Sequence, residues 1–202
     1  MLEVGCGNCH FLMALSILRP DVSYLGLDIE NVDSRAKQKI KNFRFIHGQF
    51  ETSYIKPNSV DLIYFSNLIE HVENPITFLK KCRVSLNEKG RIYGVTPNHL
   101  SLDRFIFGKY WAGYHYPRHT YIYNHVNLKM LFEKTGFYNH NISGSYSFWY
   151  LSFANKLLKL PGLKKRGIFF AIITGMFYPL DLFINIFRPH GSLSFTAEAN
   201  EY

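Results

Sequence analysis

"LEVGCGNCHF", residues 2–11, decides the fold of this chain. A short apolar strand, Leu2 to Val4, passes through two glycines set two apart. It then enters a run with apolar residues at helical spacing, Phe11, Leu12, Leu15 and Leu18. Glycine permits the tight turn and removes the Cβ that would hold a ligand away, and the helix start behind it favours an anionic group. A glycine pair alone fits a plain structural turn equally well. Its surroundings separate two ligand classes. A dinucleotide turn asks for a third glycine where this chain has His10, whose ring would crowd a pyrophosphate. Glu3 fits instead an acidic-x-G-x-G turn.

Downstream, "SYLGLDI" (23–29), "FRFIH" (43–47), "VDLIYFS" (60–66) and "RIYGVT" (91–96) read as strands two to five. Between them lie a polar, basic helix-like stretch, "DSRAKQKIK", and the helix "NPITFLKKCRVSL", with Pro75 in its first turn and Gly90 as its stop. Strands alternating with helices predict an α/β, doubly wound, mostly parallel sheet. Beyond Pro97 the rhythm changes. Residues 104–123 are dense in aromatics and carry His115, Arg118 and His119. Asn124 caps a helix bearing Leu128, Leu131 and Phe132 that ends at Gly136. "GFYNHNISGSYSF" resumes extended structure, and "SLSFTAEA" reads as a last strand.

The chain has 202 residues and is 47% hydrophobic, enough for one core and one domain with an elaboration. Its 18 Phe and 14 Tyr point to a large apolar surface or pocket. A formal charge of +8 suits an anionic partner. Cys6, Cys9 and Cys82 form no disulfide framework, which indicates a reducing, cytoplasmic setting. The Cys6-x-x-Cys9 pair lacks the second pair of a zinc site and reads as lining a tight turn. No signal-peptide pattern precedes the first strand.

Together these segments resemble the class I S-adenosylmethionine-dependent methyltransferases of the type 11/23 kind. "LEVGCGNCHF" is similar to their first motif, "YLGLDIE" to the second, and "FIHGQFE" to the third. "VDLIYFSNLIEHVENPITFLKKCRVSLNEKGRIYGVTPN" resembles their fourth-to-fifth-strand portion. The resemblance implies a Rossmann-like seven-stranded fold and S-adenosyl-L-methionine as cofactor. Glu3, Gly5 and Gly7 would serve its methionine end, Asp28 the ribose about 20 residues beyond the glycines, and Gln49 the adenine amino group. Phe50 would cover the ring, and Ser66 and Asn67 would sit where the methyl group meets the acceptor. Cys6 and Ile29 complete the expected cofactor set. Cys9 stands where the family has a third glycine, and Gln49 where it has an Asp. Family members carry helices before strand one, so this chain is expected to be an N-terminally shortened member, a fragment, or one with a mis-set start.

Methyl transfer is an in-line displacement, with a base where the acceptor holds a proton. His119, His115 and His71 are the catalytic candidates; each also fits a bland role, paired with a backbone carbonyl or bracing a turn. Arg118 suits an acceptor phosphate or carboxylate. In the quinone O-methyltransferases this part resembles, a Glu-x-x-Glu-His cluster can hold a divalent cation. Here Asn67 replaces its first Glu, so Glu70 and His71 are expected to brace the next helix and no metal is expected.

Residues 1–148 with 190–202 form the expected cofactor-binding domain, and 149–189 a helical hydrophobic insert. Its run "GIFFAIITGMFYPLDLFINIF" (167–187) follows the basic Lys164, Lys165 and Arg166. Three readings stand for it: docking on an anionic membrane face, a lid, or a dimer contact. The expected activity is O-methylation of a small or lipid-linked acceptor, as in quinone or glycan O-methyltransferases. The alternatives are a catalytically silent relative that binds a membrane or partner, and a nicotinamide oxidoreductase, which Glu3 and His10 disfavour. Nucleic acid is not expected, because "SNLI" rather than an N-P-P-Y motif follows strand four.

Overall fold

A computed structural model of the chain describes residues 1–31, 39–115, 117–145 and 191–199, with 175, 176, 179, 182, 183 and 186. Seven strands form one sheet: β1 (Leu2–Val4), β2 (Tyr24–Asp28), β3 (Phe43–His47), β4 (Val60–Ser66), β5 (Leu86–Pro97), β6 (Tyr138–Gly144) and β7 (Ser192–Glu198). Their order is β3-β2-β1-β4-β5-β7-β6. The first five run parallel, and β7 lies antiparallel between β5 and β6. The strand order reverses beside β1, which pairs with both β2 and β4, and the carboxyl ends of open parallel sheets form their ligand crevice at such a reversal. Four described helices accompany the sheet: α1 (His10–Leu18), α2 (Pro75–Ser85), α3 (Leu102–Phe107) and α4 (His125–Lys134).

The expected strands fall where the apolar runs lie, because a parallel strand covered on both faces must be apolar throughout. Leu2, Ile63, Phe65 and Ile92 are fully buried in the central strands. A chain of rings crosses the core from Phe50 to Phe78, Phe65, Phe195 and Phe132, with successive centroids 5.1, 5.1, 5.6 and 5.2 Å apart. Edge-on and tilted contacts of this kind suit the ring quadrupoles.

Two local readings change. The second helix does not run to Gly90. It ends at Ser85, and Leu86 turns extended and pairs with Val60, so 86–90 open β5. Gly90 is there for space, since a Cβ would lie 2.9 Å from the Val60 carbonyl oxygen. The aromatic stretch after β5 is also not irregular throughout: it holds α3 and single helical turns at Gly108–Tyr110 and Ala112–Tyr114. The cap at Asn124 forms as read. Its side chain accepts from Val126 and Asn127 N–H, and the Asn127 side chain accepts from Asn124 N–H in return.

Most of the expected insert over 149–189 and most of "DSRAKQKIK" lie outside the described residues. Residues 175, 176, 179, 182, 183 and 186 are helical and exposed. Among the described residues no helix is long and apolar enough to cross a membrane.

Gly94 shows how tightly the sheet closes around its aromatic core. A Cβ there would lie 2.5 Å from Phe195 Cζ and 2.7 Å from the Phe65 carbonyl oxygen. Gly94→Ala should therefore destabilise the fold by about 1–3 kcal/mol, through displacement of a packed ring and a neighbouring strand. Urea unfolding checks this; an unchanged midpoint would mean that Phe195 yields freely.

Candidate functional site

The turn between β1 and α1 is built from left-handed backbone. Gly5, Gly7 and Cys9 have φ of +71°, +49° and +57°. The N–H groups of Gly5 and Cys6 both donate to the Leu27 carbonyl, at 2.8 and 3.3 Å. Gly7 N–H donates to Asp28 Oδ2 at 2.7 Å, and Glu30 N–H to Asp28 Oδ1 at 2.9 Å. The Asp28 carboxylate is thus held at the mouth of the turn. A Cβ on Gly7 would meet nothing within 4 Å, so this backbone faces open space.

Glu3 sits beneath the turn, 6% exposed, and its Oε2 is buried without a partner among the described residues. Burial, and then the charge of Asp28, push its carboxyl up to about 8. Cys6 and Cys9 lie side by side with sulfurs 3.3 Å apart, packed against the bare Cα of Gly26. They line the turn, as expected of them.

The remaining cofactor candidates divide. Ile29 is 68% exposed beside Asp28, and Gln49 is exposed after β3. Ser66 and Asn67 end β4; Asn67 is left-handed at φ +48° and its Oδ1 is buried without a partner among the described residues. Leu68 follows and packs under the glycine turn, 3.1 Å from where a Gly5 Cβ would be. Phe50 is a correction. Its ring is 3% exposed within the core, edge-on to Phe78, with Lys81 Nζ 5.2 Å from its centroid. No face of that ring is left for an adenine.

At the carboxyl ends of β4 and β5 the three histidine candidates come together. The His119 ring lies 4.6 Å from His71 and 5.2 Å from His115, edge-on to both. His119 Nδ1 is 2.6 Å from the Gly113 carbonyl, and His71 Nδ1 is 2.9 Å from the Arg118 carbonyl. A carbonyl only accepts, so each Nδ1 carries a proton, and in the neutral form of such a ring the lone pair is on Nε2. Burial lowers the His119 pKa, and the neighbouring His71 and His115 add to this against the opposing pull of Gly113. His119 therefore takes up a proton less readily than an ordinary histidine. His115 is exposed and left-handed, φ +30°.

Glu70 underlies the cluster and is 1% exposed. Its Oε2 accepts from Thr96 Oγ1 at 3.0 Å, and Oε1 is buried without a partner among the described residues. Burial lifts this carboxyl to about 7. Its backbone carbonyl accepts from Thr120 N–H, Tyr121 N–H and Thr120 Oγ1. The bracing expected of Glu70 and His71 is thus of the 118–121 loop; the next helix is capped by Asn74, which accepts from Thr77 N–H. Ligand atoms of Glu70, His71 and His119 lie within 4.8 Å of one another, and among the described residues they are the group that could hold a cation. Thr96 and Thr120 escaped the sequence reading. A lone threonine at a strand end or in a loop carries no pattern, and only the fold sets both against Glu70.

The sequence profile of the methyltransferase-domain family matches residues 1–142. A tRNA (guanine-N(7)-)-methyltransferase of Streptococcus pyogenes is 27% identical over 113 residues, covering 48% of this chain and 54% of that protein. The chain spans about half the length of the curated relatives it matches. Among solved structures, an S-adenosylmethionine-dependent methyltransferase of Thermotoga maritima shares the fold, with a TM-score of 0.65 and 16% identity over 98% of this chain and 81% of that one. So does the Haemonchus contortus phosphoethanolamine N-methyltransferase 2 in complex with S-adenosyl-L-methionine, with a TM-score of 0.61 and 18% identity over 100% of this chain and 48% of that one. With the acidic glycine turn on β1 and a seven-stranded sheet of this order, the chain belongs to the class I S-adenosylmethionine-dependent methyltransferases.

Proposed function

We propose that this protein transfers a methyl group from S-adenosylmethionine to an oxygen of a small or lipid-linked acceptor. One observation carries the choice of oxygen: His119 is half-buried, shifted toward its neutral form, and fixed in the tautomer whose Nε2 can take a proton. The cradle suits the cofactor by its own chemistry. Gly7 presents bare backbone to open space, and Glu3 keeps a buried carboxyl oxygen without a partner among the described residues. Glu3, Gly5, Cys6 and Gly7 would hold the methionine end and Asp28 the ribose, with Ile29 and Gln49 toward the adenine. When bound, S-adenosylmethionine supplies an electrophilic methyl on its sulfonium sulfur.

The chain's own residues then do three things. Asn67 and Ser66, after β4, bound the path between cofactor and acceptor. His119 Nε2 takes the acceptor's hydroxyl proton as its oxygen bonds to carbon, and Gly113 keeps the ring from turning. Glu70 and Thr96 hold the loop that carries His119, with His71 packed against its ring.

The basic charge and the apolar run beyond residue 148 support a lipid-linked acceptor over a sugar. A nucleic-acid acceptor is the second reading, supported by the same charge and by the likeness to a tRNA methyltransferase.

Three outcomes test this. Asp28→Ala should weaken S-adenosylhomocysteine binding by about 1–3 kcal/mol through lost charge-assisted hydrogen bonds; calorimetry showing equal affinity removes Asp28 from the cradle. His119→Ala should leave that affinity intact and slow methyl transfer to a hydroxyl acceptor about 10²–10⁴-fold. In the unsubstituted protein the acid limb of the rate profile should lie below the ordinary histidine range, because His119 must be neutral.

A further outcome concerns Glu3. Its raised pKa makes the protonated form the folded one, so its stabilising contribution is complete below the ordinary carboxyl range and is lost as pH rises through about 8. A cationic ligand amino group beside it favours the carboxylate. Binding of S-adenosylhomocysteine at pH 7 should therefore release up to about one proton, read as a dependence of calorimetric heat on buffer ionisation, and Glu3→Gln should abolish that release.

A further inference from the structure

The segment between β5 and α4 also forms an open cleft of about 630 Å³, lined by Arg104, Phe105, Gly108, Lys109 and Tyr114. Two cations and two aromatic rings face it, and among the described residues no carboxylate does. Asp103, the acid beside it in sequence, is 1% exposed and accepts from Trp111 Nε1 at 3.1 Å and from Arg104 N–H at 3.0 Å. Among the described residues neither Arg104 nor Lys109 makes an ion pair with a carboxylate. A carboxylate-free pair of cations in a concave site is set for an anion.

The geometry gives the anion a shape. Arg104 Nε donates to Tyr114 Oη at 3.3 Å, and the guanidinium lies 5.1 Å from the Phe105 centroid. Its planar fork is thereby oriented, with its other N–H groups available. Tyr114, accepting from Arg104, keeps its own O–H to donate. Lys109 adds a second charge across Gly108, where a Cβ would meet nothing within 4 Å, its Nζ 5.3 Å from the Tyr110 ring centroid. Phe105, 58% exposed, offers an apolar face to whatever carries the anion. The cleft shares a wall with the histidine cluster: Tyr114 lies between Gly113, whose carbonyl accepts from His119, and His115, whose ring touches His119.

We propose that this cleft binds the phosphate group of a phosphorylated ligand. Arg104 makes paired N–H contacts to phosphate oxygens, Lys109 supplies the second charge and Tyr114 donates a hydrogen bond. That this ligand is the methyl acceptor rests on the transfer reading above; the phosphate site itself does not. A soluble phosphorylated molecule and a lipid headgroup present the same chemistry.

Calorimetry of the full chain with inorganic pyrophosphate should show saturable binding that Arg104→Gln weakens at least about tenfold. Arg104→Lys should not restore it, because the fork is lost. Lys109→Gln should weaken it less, and Lys129→Gln, on the exposed face of α4, should leave it unchanged. In the vesicle arm, phosphatidylcholine with and without phosphatidic acid is sedimented with the same variants. Pyrophosphate binding with this pattern assigns a soluble phosphate. Retention by phosphatidic acid that Arg104→Gln abolishes, without pyrophosphate binding, assigns a headgroup. Binding to neither probe, or binding that Lys129→Gln weakens as much as Arg104→Gln does, overturns the site. S-adenosylhomocysteine affinity, measured on each variant, separates the two readings. Should it be absent while pyrophosphate binds, the transfer reading falls and the cleft stands; should it be normal while both phosphate probes fail, the cleft falls alone.

Discussion

The carboxyl end of the sheet depends on one constraint, a left-handed turn between β1 and α1 fastened to the end of β2. Two N–H groups of the turn converge on the Leu27 carbonyl, and a third binds the Asp28 carboxylate. These bonds fix where β1 stops, where α1 starts and how far the first two strands are offset. They also decide the electrostatics. Asp28 accepts from two backbone donors at the mouth, while Glu3 below it is walled off and driven toward its neutral form.

Glu70 does for the far side of the crevice what the glycine turn does for the near side. Its side chain is tied to Thr96 at the end of β5, and its backbone carbonyl gathers three donors from Thr120 and Tyr121. A buried carboxyl is costly unless its oxygens are satisfied. Here one oxygen is, the other has no partner among the described residues, and the carboxyl lies within 4.8 Å of ring nitrogens of His71 and His119. The same clasp that orders the loop therefore places a proton-exchanging group under His71 and His119.

Most of the sheet was legible in the sequence because each parallel strand carries a short run rich in apolar residues, bounded by glycine or polar turn residues. The Asn124 helix was legible from its cap and its Gly136 stop. What could not be read has a common cause. Gly90 looks like a helix stop, but its value is the room it leaves Val60 across a strand pair that sequence spacing does not reveal. Phe50 follows the adenine-side motif, yet its ring finds Phe78 and turns inward, since burying an aromatic face gains more than exposing it to water. The histidines were found as residue types suited to a base. Their tautomers were not, because the carbonyls of Gly113 and Arg118 that set them come from loops.

Backbone strain tells the same story from another direction. Among the described residues, the left-handed ones other than glycine are Cys9, Asn42, Asn58, Asn67, His115 and Asn139. Asparagine reaches that region at little cost, because its short side chain can bond locally, and Asn42, Asn58 and Asn139 lie at strand ends or turns. Cys9 and His115 have no such ease. A left-handed non-glycine residue costs about 1–2 kcal/mol, and it persists only where the surroundings over-determine it. Cys9 is fully buried, with its sulfur against Cys6 and its carbonyl starting α1. His115 has its ring against His119 and its carbonyl accepting from Arg118 N–H. Of these six, Cys9, Asn67 and His115 belong to the three segments that line the crevice: the glycine turn, the end of β4 and the histidine loop. Local conformational energy is lost there and recovered through packing elsewhere, as a site selected for the position of its groups rather than for the ease of its backbone requires.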